Sequence, residues 1–131
     1  MNMAIEVSNV SKRFGEVKAL DDISVSFGGE QIYGLLGNNG AGKSTLLNII
    51  AGRLFADQGA VSVDGLPGRS DAALCRIHLM GEKNLFPEEM KVRQALRWAG
   101  ELYRGFDREY ALSLAEQFKL RTDKKITALS T

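Results

Sequence analysis

Apolar and polar residues alternate in two stretches near the N-terminus, as they do in strands that bury one face. These stretches are residues 5–10 and 23–27. The Gly28-Gly29 pair that follows predicts a hairpin turn. The next run, residues 31–36, is apolar on both faces, which predicts a buried central strand. The beginning of the chain is therefore expected to be rich in β-structure.

The pattern then becomes helical. Residues 43–51 predict a helix that Gly52 ends in a left-handed conformation. Residues 59–65 predict a strand that closes with an Asp64-Gly65 turn, and residues 76–80 are a further strand candidate. Apolar residues at helical spacing predict two amphipathic helices beyond Lys91, in the regions 92–102 and 110–118. The change near residue 88 predicts one domain with a β-rich core over 1–87 and a helical layer over 88–131.

Composition limits the choice of partners. The chain of 131 residues has 17 basic and 16 acidic side chains, so its net charge of +1 provides no broad field for nucleic acid or an anionic membrane. The single cysteine, Cys75, has no internal disulfide partner, and a reducing cytoplasmic compartment is expected. No stretch approaches the roughly 18 apolar residues of a membrane span. If the protein works at a membrane, a partner must provide the spanning helices.

The strongest chemical signal is a glycine-rich loop between the predicted strand 31–36 and the predicted helix 43–51. It matches Gly-x-x-x-x-Gly-Lys-[Ser/Thr] at every position, and this motif wraps backbone amides around phosphate oxygens. Its residues are Gly37, Asn38, Asn39, Gly40, Ala41, Gly42, Lys43 and Ser44. The alternative interpretation is a tight glycine turn that merely opens a helix. A dinucleotide-binding fingerprint fails because Thr45 stands where its third glycine belongs.

Each side chain at the end of the loop has an expected role. The Lys43 ammonium should reach the β- and γ-phosphates of a nucleotide, and the Ser44 hydroxyl should coordinate Mg²⁺. Thr45 is expected to add a hydrogen bond to phosphate. The helix that begins near Lys43 contributes free N–H groups and a positive dipole end. The expected ligands are therefore a nucleotide and Mg²⁺, and the loop alone does not separate ATPases from GTPases or small-molecule kinases.

Several separated segments, residues 7–15, 19–24, 37–46 and 59–65, resemble ATP-binding-cassette (ABC) domains. The resemblance implies an α/β fold: a P-loop NTPase core of ABC type, with an N-terminal antiparallel β region and part of a helical subdomain. It also implies that Phe14 stacks on adenine. The alternative is that Phe14 is a core aromatic residue at the end of a strand. Base stacking on an aromatic ring contributes about 1–3 kcal/mol.

The resemblance assigns further positions. Leu129-Ser130-Thr131 matches the start of the signature motif, and Ser130 is expected to contact the ATP bound by a partner subunit. Glu82, or Gly81, falls where the family usually has a glutamine near Mg²⁺, and a solvated loop carboxylate is the alternative for Glu82. The family's catalytic glutamate, Walker B aspartate and γ-phosphate-sensing histidine have no counterpart here, since His78 precedes the helical layer. The chain alone is expected to be inactive.

The function implied is that of the ATP-binding subunit of a membrane transporter. It would form a head-to-tail dimer with a second nucleotide-binding domain, bind a permease, and lie in the cytoplasm on the inner face of the plasma membrane. No nucleic-acid partner is expected. Two alternatives stay open: a soluble ABC-type ATPase acting on nucleic acid or ribosomes, and a regulatory module that binds nucleotide without hydrolysing it.

Overall fold

The computed structural model of the protein describes residues 4–81, 83 and 85–129. These residues divide into two compact units, with the division between Met80 and Gly81. The elements in chain order are β1 (Ile5–Phe14), β2 (Val17–Phe27), α1 (Lys43–Ile50), β3 (Gln58–Val63), β4 (Leu66–Pro67), α2 (Asp71–Leu74), α3 (Val92–Leu102), α4 (Arg108–Gln117) and a 3₁₀ helix (Ile126–Ala128).

The first unit contains an antiparallel sheet with the strand order β2-β1-β3-β4. Val7 of β1 lies opposite Val25 of β2 and Val61 of β3, so β1 is paired on both sides. Both β1 and β2 are longer than the alternation predicted, and the turn that joins them is at Gly15. The reason is that ladder hydrogen bonds join backbones, so polar residues continue a hairpin when their side chains face solvent. The hairpin predicted at Gly28-Gly29 is wrong for this structure, because no strand follows β2 over residues 31–36.

Helix α1 closes the core of this unit. Its Leu46, Ile49 and Ile50 are buried in one cluster with three residues of the sheet, which are Val7, Val10 and Leu20. The predicted cap of the helix is confirmed, because Gly52 has a φ of +70° and its N–H donates to the Ile49 carbonyl oxygen over 3.0 Å. The predicted Asp64-Gly65 turn is also confirmed by positive φ at both residues.

The prediction of a central strand over residues 31–36 is wrong for this structure. This segment forms no strand, and Ile32 and Leu36 are almost fully exposed. An apolar run becomes a central strand only when other strands flank it, and the described strands pair among themselves instead. An open cavity of about 330 Å³, lined by Leu35 and by Leu46 among others, separates the segment from α1. Residues 76–80 likewise form no strand.

The second unit contains α3 and α4, as the helical spacing predicted. The Lys91 N–H donates to Oε1 of Gln94 over 2.8 Å at the start of α3. At the start of α4, Oδ1 of Asp107 accepts the N–H of Tyr110 over 2.8 Å. These side chains satisfy backbone groups that the first helical turn leaves unpaired. None of the helices in the described part of the chain is long and apolar enough to span a membrane.

Candidate functional site

Two of the three glycines in the loop that precedes α1 have the left-handed conformation that a phosphate loop needs, and Gly37 does not have a positive φ. Gly40 has a φ of +86° and Gly42 a φ of +90°, in the left-handed region that side chains disfavour. Between them, the Ala41 N–H donates to the Asn38 carbonyl oxygen over 3.0 Å. Alternation of right- and left-handed residues points successive N–H groups into one concavity, which is a recurrent way to bind anions.

Close contact with the sheet holds the end of this loop in place. A Cβ atom on Gly42 would lie 2.4 Å from the Ala19 carbonyl oxygen and 2.8 Å from Cδ2 of Leu20. Both partners belong to β2. Only a residue without a side chain fits there, so the start of α1 is seated directly on β2.

The N-terminus of α1 is open toward the loop. The N-cap is Gly42, and no side chain caps the helix. The first intrahelical bond runs from the Leu46 N–H to the Gly42 carbonyl oxygen over 2.9 Å. The preceding N–H groups of the first turn have no acceptor within the helix, and they carry the positive end of its dipole, about half an elementary charge. This arrangement favours an anion at the start of α1.

The Lys43 side chain folds back over the loop. Its ammonium donates to the carbonyl oxygens of Gly37 and Asn38, over 2.5 Å and 2.8 Å. Hydrogen bonds to neutral carbonyls are weaker than those between an ammonium and a phosphate. The ammonium is thus held beside the concavity by partners that a phosphate would displace.

The Ser44 hydroxyl is suited to act as one protein ligand of Mg²⁺. Ser44 is exposed in the first turn of α1, and the amide of Asn48 bonds its carbonyl oxygen over 2.8 Å rather than its hydroxyl. Mg²⁺ usually keeps several waters and binds through one or two protein groups together with substrate phosphates. The described residues contain no group of three or more His, Cys, Asp or Glu side chains that could hold a metal. The donor set fits a metal carried by a nucleotide.

The Phe14 ring lies at the end of β1, opposite Val17 of β2, and is 49% exposed. Two residues earlier, Lys12 pairs with Leu20, the residue that contacts the Gly42 position. A strand rises roughly 3.3 Å per residue, so Phe14 lies about 7 Å along β1 from Lys12. Phe14 and the Gly42 end of the loop therefore both lie near the first residues of β2.

Two residues near Phe14, Lys12 and Asp57, were not predicted as part of the site. The Nζ of Lys12 is 2.7 Å from Oδ1 of Asp57 and 5.5 Å from the centre of the Phe14 ring. The hydrogen bond from Lys12, then that from the Arg13 N–H, holds the pKa of the Asp57 carboxyl below its usual value. Asp57 lies 45 positions after Lys12, so no local motif signals their contact.

Two predicted site residues, Glu82 and Ser130, lie outside the described residues. Gly81, the alternative to Glu82, is exposed. Cys75 is a free, exposed thiol. The loop, the open helix N-terminus and Phe14 all belong to the first unit.

A left-handed glycine loop, a lysine over it and an uncapped helix N-terminus beside a sheet define the phosphate-loop class of nucleotide-binding proteins. Comparison with known proteins narrows this class. The family model described as "ABC transporter" matches residues 20–130, and the chain belongs to this family. The fold is accordingly α/β, the N-terminal part of an ABC cassette.

Individual relatives and solved structures agree with this family assignment. The ABC transporter ATP-binding protein YtrB of Bacillus subtilis (strain 168) is 32% identical over 128 residues, which are 97% of this chain and 44% of YtrB. The sulfate/thiosulfate import ATP-binding protein CysA of Burkholderia mallei (strain ATCC 23344) is 52% identical over 64 residues, 49% of this chain and 18% of CysA. The structure of MJ1267, an ATP-binding cassette of an ABC transporter, matches with a TM-score of 0.80 and 31% identity over 99% of this chain and 60% of that one. The chain thus spans less than half the length of these two relatives and 60% of the MJ1267 chain.

Proposed function

We propose that this chain forms the nucleotide-binding part of the ATP-binding subunit of an ABC transporter, and that it binds Mg-ATP on the loop 37–45. The observation that supports this most directly is the Lys43 ammonium, held over a left-handed glycine loop at an uncapped helix N-terminus. Amides, dipole and ammonium all favour a polyanion at the same point.

Each site residue has a part in this proposal. The Lys43 ammonium exchanges the two loop carbonyls for the β- and γ-phosphates, while the loop amides surround the phosphate oxygens. Ser44 coordinates Mg²⁺, and Thr45 adds a hydrogen bond to phosphate. The Phe14 ring, half exposed near the same end of β2, stacks on adenine.

In the complete protein, two such domains close head to tail on ATP, and hydrolysis reopens them to drive transport through a membrane permease. The relatives support this role, since CysA is a sulfate/thiosulfate import ATP-binding protein. Ser130 contacts the ATP of the partner domain, and Glu82 takes the position next to Mg²⁺. The β-rich core 1–87 and the helical layer 88–131 belong to one domain. The subunit lies in the cytoplasm against the permease, and this chain alone does not turn over ATP.

Calorimetric titration of the complete protein with Mg-ATP tests the binding step. Lys43→Ala removes a charged hydrogen bond to phosphate and is expected to weaken ATP by about 10-fold or more. Lys124→Ala removes the same charge from an exposed position in the second unit and is the matched control. Equal affinity in the wild type and in Lys43→Ala would contradict the proposal.

The proposed ATP hydrolysis and its coupling to transport need a second test. Phosphate release is measured for the same complete protein, with and without its permease. Turnover that rises when the permease is present supports a transport ATPase. Binding without any release would identify a regulatory module instead. Turnover stimulated by nucleic acid or ribosomes, and not by a permease, would identify a soluble ATPase.

A further inference from the structure

The last residues of β1 lack regular pairing. Pairing with β3 ends at Ser11, which lies opposite Gln58. On the other side, the register with β2 shifts between Val10 and Lys12 and again between Lys12 and Arg13. Such irregularities interrupt the ladder and bend the strand. Beyond Ser11, the segment that leads to Phe14 is paired with β2 alone among the described strands, so support on its other side must come from outside the sheet.

Asp57 supplies this support on the side where β3 ends. Its N–H donates to the Ser11 carbonyl oxygen over 2.9 Å. Its Oδ2 accepts the Arg13 N–H over 2.8 Å, and its Oδ1 accepts the Lys12 ammonium over 2.7 Å. One residue thus bonds three successive residues, up to the one before Phe14. Its backbone and carboxylate continue the ladder where the neighbouring strand has stopped.

The position of Asp57 is itself fixed by a close backbone contact two residues later. Gly59 has a φ of +83°, and a Cβ there would lie 2.3 Å from the Asn9 carbonyl oxygen and 2.4 Å from that of Ser8. This approach is possible only for glycine. The start of β3 is therefore pressed against β1, and it holds Asp57 beside the end of that strand.

Asp57 also acts on the Phe14 ring through Lys12. The Lys12 side chain is only 13% exposed, and its ammonium lies 5.5 Å from the ring centre. A cation within about 6 Å of a ring centre attracts the ring face. The ion pair with Asp57 holds this ammonium in place, while the ring keeps 49% of its surface exposed.

We propose that Asp57 is a positioning residue for nucleobase binding: it fixes the backbone before Phe14 and, through Lys12, the orientation of the ring. This inference rests on the proposed role of Phe14 in stacking on adenine. Asp57 itself does not touch the nucleotide. Its effect must therefore appear in the affinity for ATP and must depend on the Phe14 ring.

A double-mutant cycle in the complete protein tests this dependence. Affinities for Mg-ATP and for inorganic tripolyphosphate are measured for the wild type, Asp57→Ala, Phe14→Ala and the double variant. Asp57→Ala is expected to weaken ATP binding by about 3- to 10-fold, because a ring that is less well oriented loses part of the roughly 1–3 kcal/mol of base stacking, with tripolyphosphate binding unchanged. In the Phe14→Ala background the same change should produce no further loss.

Matched variants separate positioning from general stability. Asp57→Asn keeps an oxygen that can accept the Arg13 N–H and is expected to recover part of the ATP affinity. Asp64 is the control, because its carboxylate also accepts one backbone N–H and one arginine, from Ala4 and Arg76. Asp64→Ala should leave the ratio of the two affinities unchanged. If Asp57→Ala does not fold, Asp57→Asn and Lys12→Met replace it in the cycle. Each must then weaken the binding of ATP but not of tripolyphosphate, and must produce no further loss in the Phe14→Ala background.

The possible failures are distinguishable. Equal losses for ATP and tripolyphosphate, or losses that add in the double variant, would overturn the positioning role and leave the role of Phe14 intact. An unchanged ATP affinity in Phe14→Ala alone would overturn both, because the ring would then not bind the base. Loss of tripolyphosphate binding in Lys43→Ala remains an independent check of the phosphate site.

Discussion

The Ala19 carbonyl oxygen lies where a side chain on Gly42 would begin, since a Cβ at residue 42 would be 2.4 Å away. This contact joins the phosphate loop to the sheet through backbone atoms alone. Because neither backbone can move without disturbing β2 or α1, this contact restrains the Gly42 end of the loop. Restraint of a binding loop lowers the ordering cost of binding.

Gly42→Ala is expected to destabilise the protein more than Gly40→Ala. Both residues have a left-handed φ, but a Cβ on Gly40 meets nothing within 4 Å, so only the first variant adds a steric clash. We expect Gly40→Ala to lower the free energy of unfolding by about 1 kcal/mol and Gly42→Ala by at least about 2 kcal/mol. Urea denaturation measures both, and Gly34→Ala, which has neither strain nor contact, is the control. Equal effects would show that the Ala19 contact is unimportant.

Phe14→Ala is expected to weaken ATP by about 5- to 150-fold, corresponding to the loss of one base stack of about 1–3 kcal/mol. Binding of tripolyphosphate should not change, since the ring does not meet the phosphates. Val17→Ala is the matched control, because Val17 is exposed and pairs with Phe14 across the hairpin. If Phe14→Ala weakens both ligands equally, the ring supports the hairpin and does not bind the base.

Ser44→Ala is expected to weaken Mg-ATP binding more than the binding of metal-free ATP. The reason is that the hydroxyl is the expected protein ligand of the metal. Ser44→Thr keeps a hydroxyl at the same position and should behave like the wild type. Titrations with and without excess chelator measure the two affinities. The same loss in both titrations would assign the hydroxyl to phosphate rather than to Mg²⁺.

Arg69→Ala is expected to lower the free energy of unfolding by about 1 kcal/mol. The guanidinium carbon lies 3.6 Å from the centre of the Phe55 ring, and Nη1 donates to the Gly52 carbonyl oxygen over 2.8 Å at the end of α1. Arg69→Lys should retain only part of the stability that Arg69→Ala loses, because an ammonium cannot stack flat on the ring. Arg97→Ala, which breaks an exposed ion pair with Glu101, is the control and should have little effect.

Acid should remove the contribution of Asp64 to stability. The Ala4 N–H, and then Arg76, hold the pKa of the Asp64 carboxyl below its usual 3.8. A carboxyl whose pKa is lowered by folding stabilises the protein above its unfolded pKa, and this contribution is lost as the pH falls through the folded pKa. The stability difference between the wild type and Asp64→Asn should therefore be constant near neutral pH and shrink below pH 3.8. A difference that does not change with pH would contradict this role.

Features that depend only on residues adjacent in the sequence were predictable from the sequence. The left-handed glycines of the loop, the Gly52 cap and the Asp64-Gly65 turn depend on the conformational preferences of single residues. The spacing of apolar residues located α1, α3 and α4. The order of these signals also supported the resemblance to the ABC family, which the comparisons bear out. That the loop binds Mg-ATP stays a prediction.

The sequence by itself determined the phosphate loop and the helix that follows it, because each is encoded in a short continuous segment. It also determined the family, because several such segments occur along the chain in the family's order. Only the tertiary structure decided that residues 31–36 are not a strand and that β1 continues to Phe14 with support from Asp57, 45 positions after Lys12. A strand exists only where another backbone pairs with it, and the Lys12–Asp57 ion pair exists only where the fold brings two side chains far apart in sequence together. Neither partner is specified by the residues next to it.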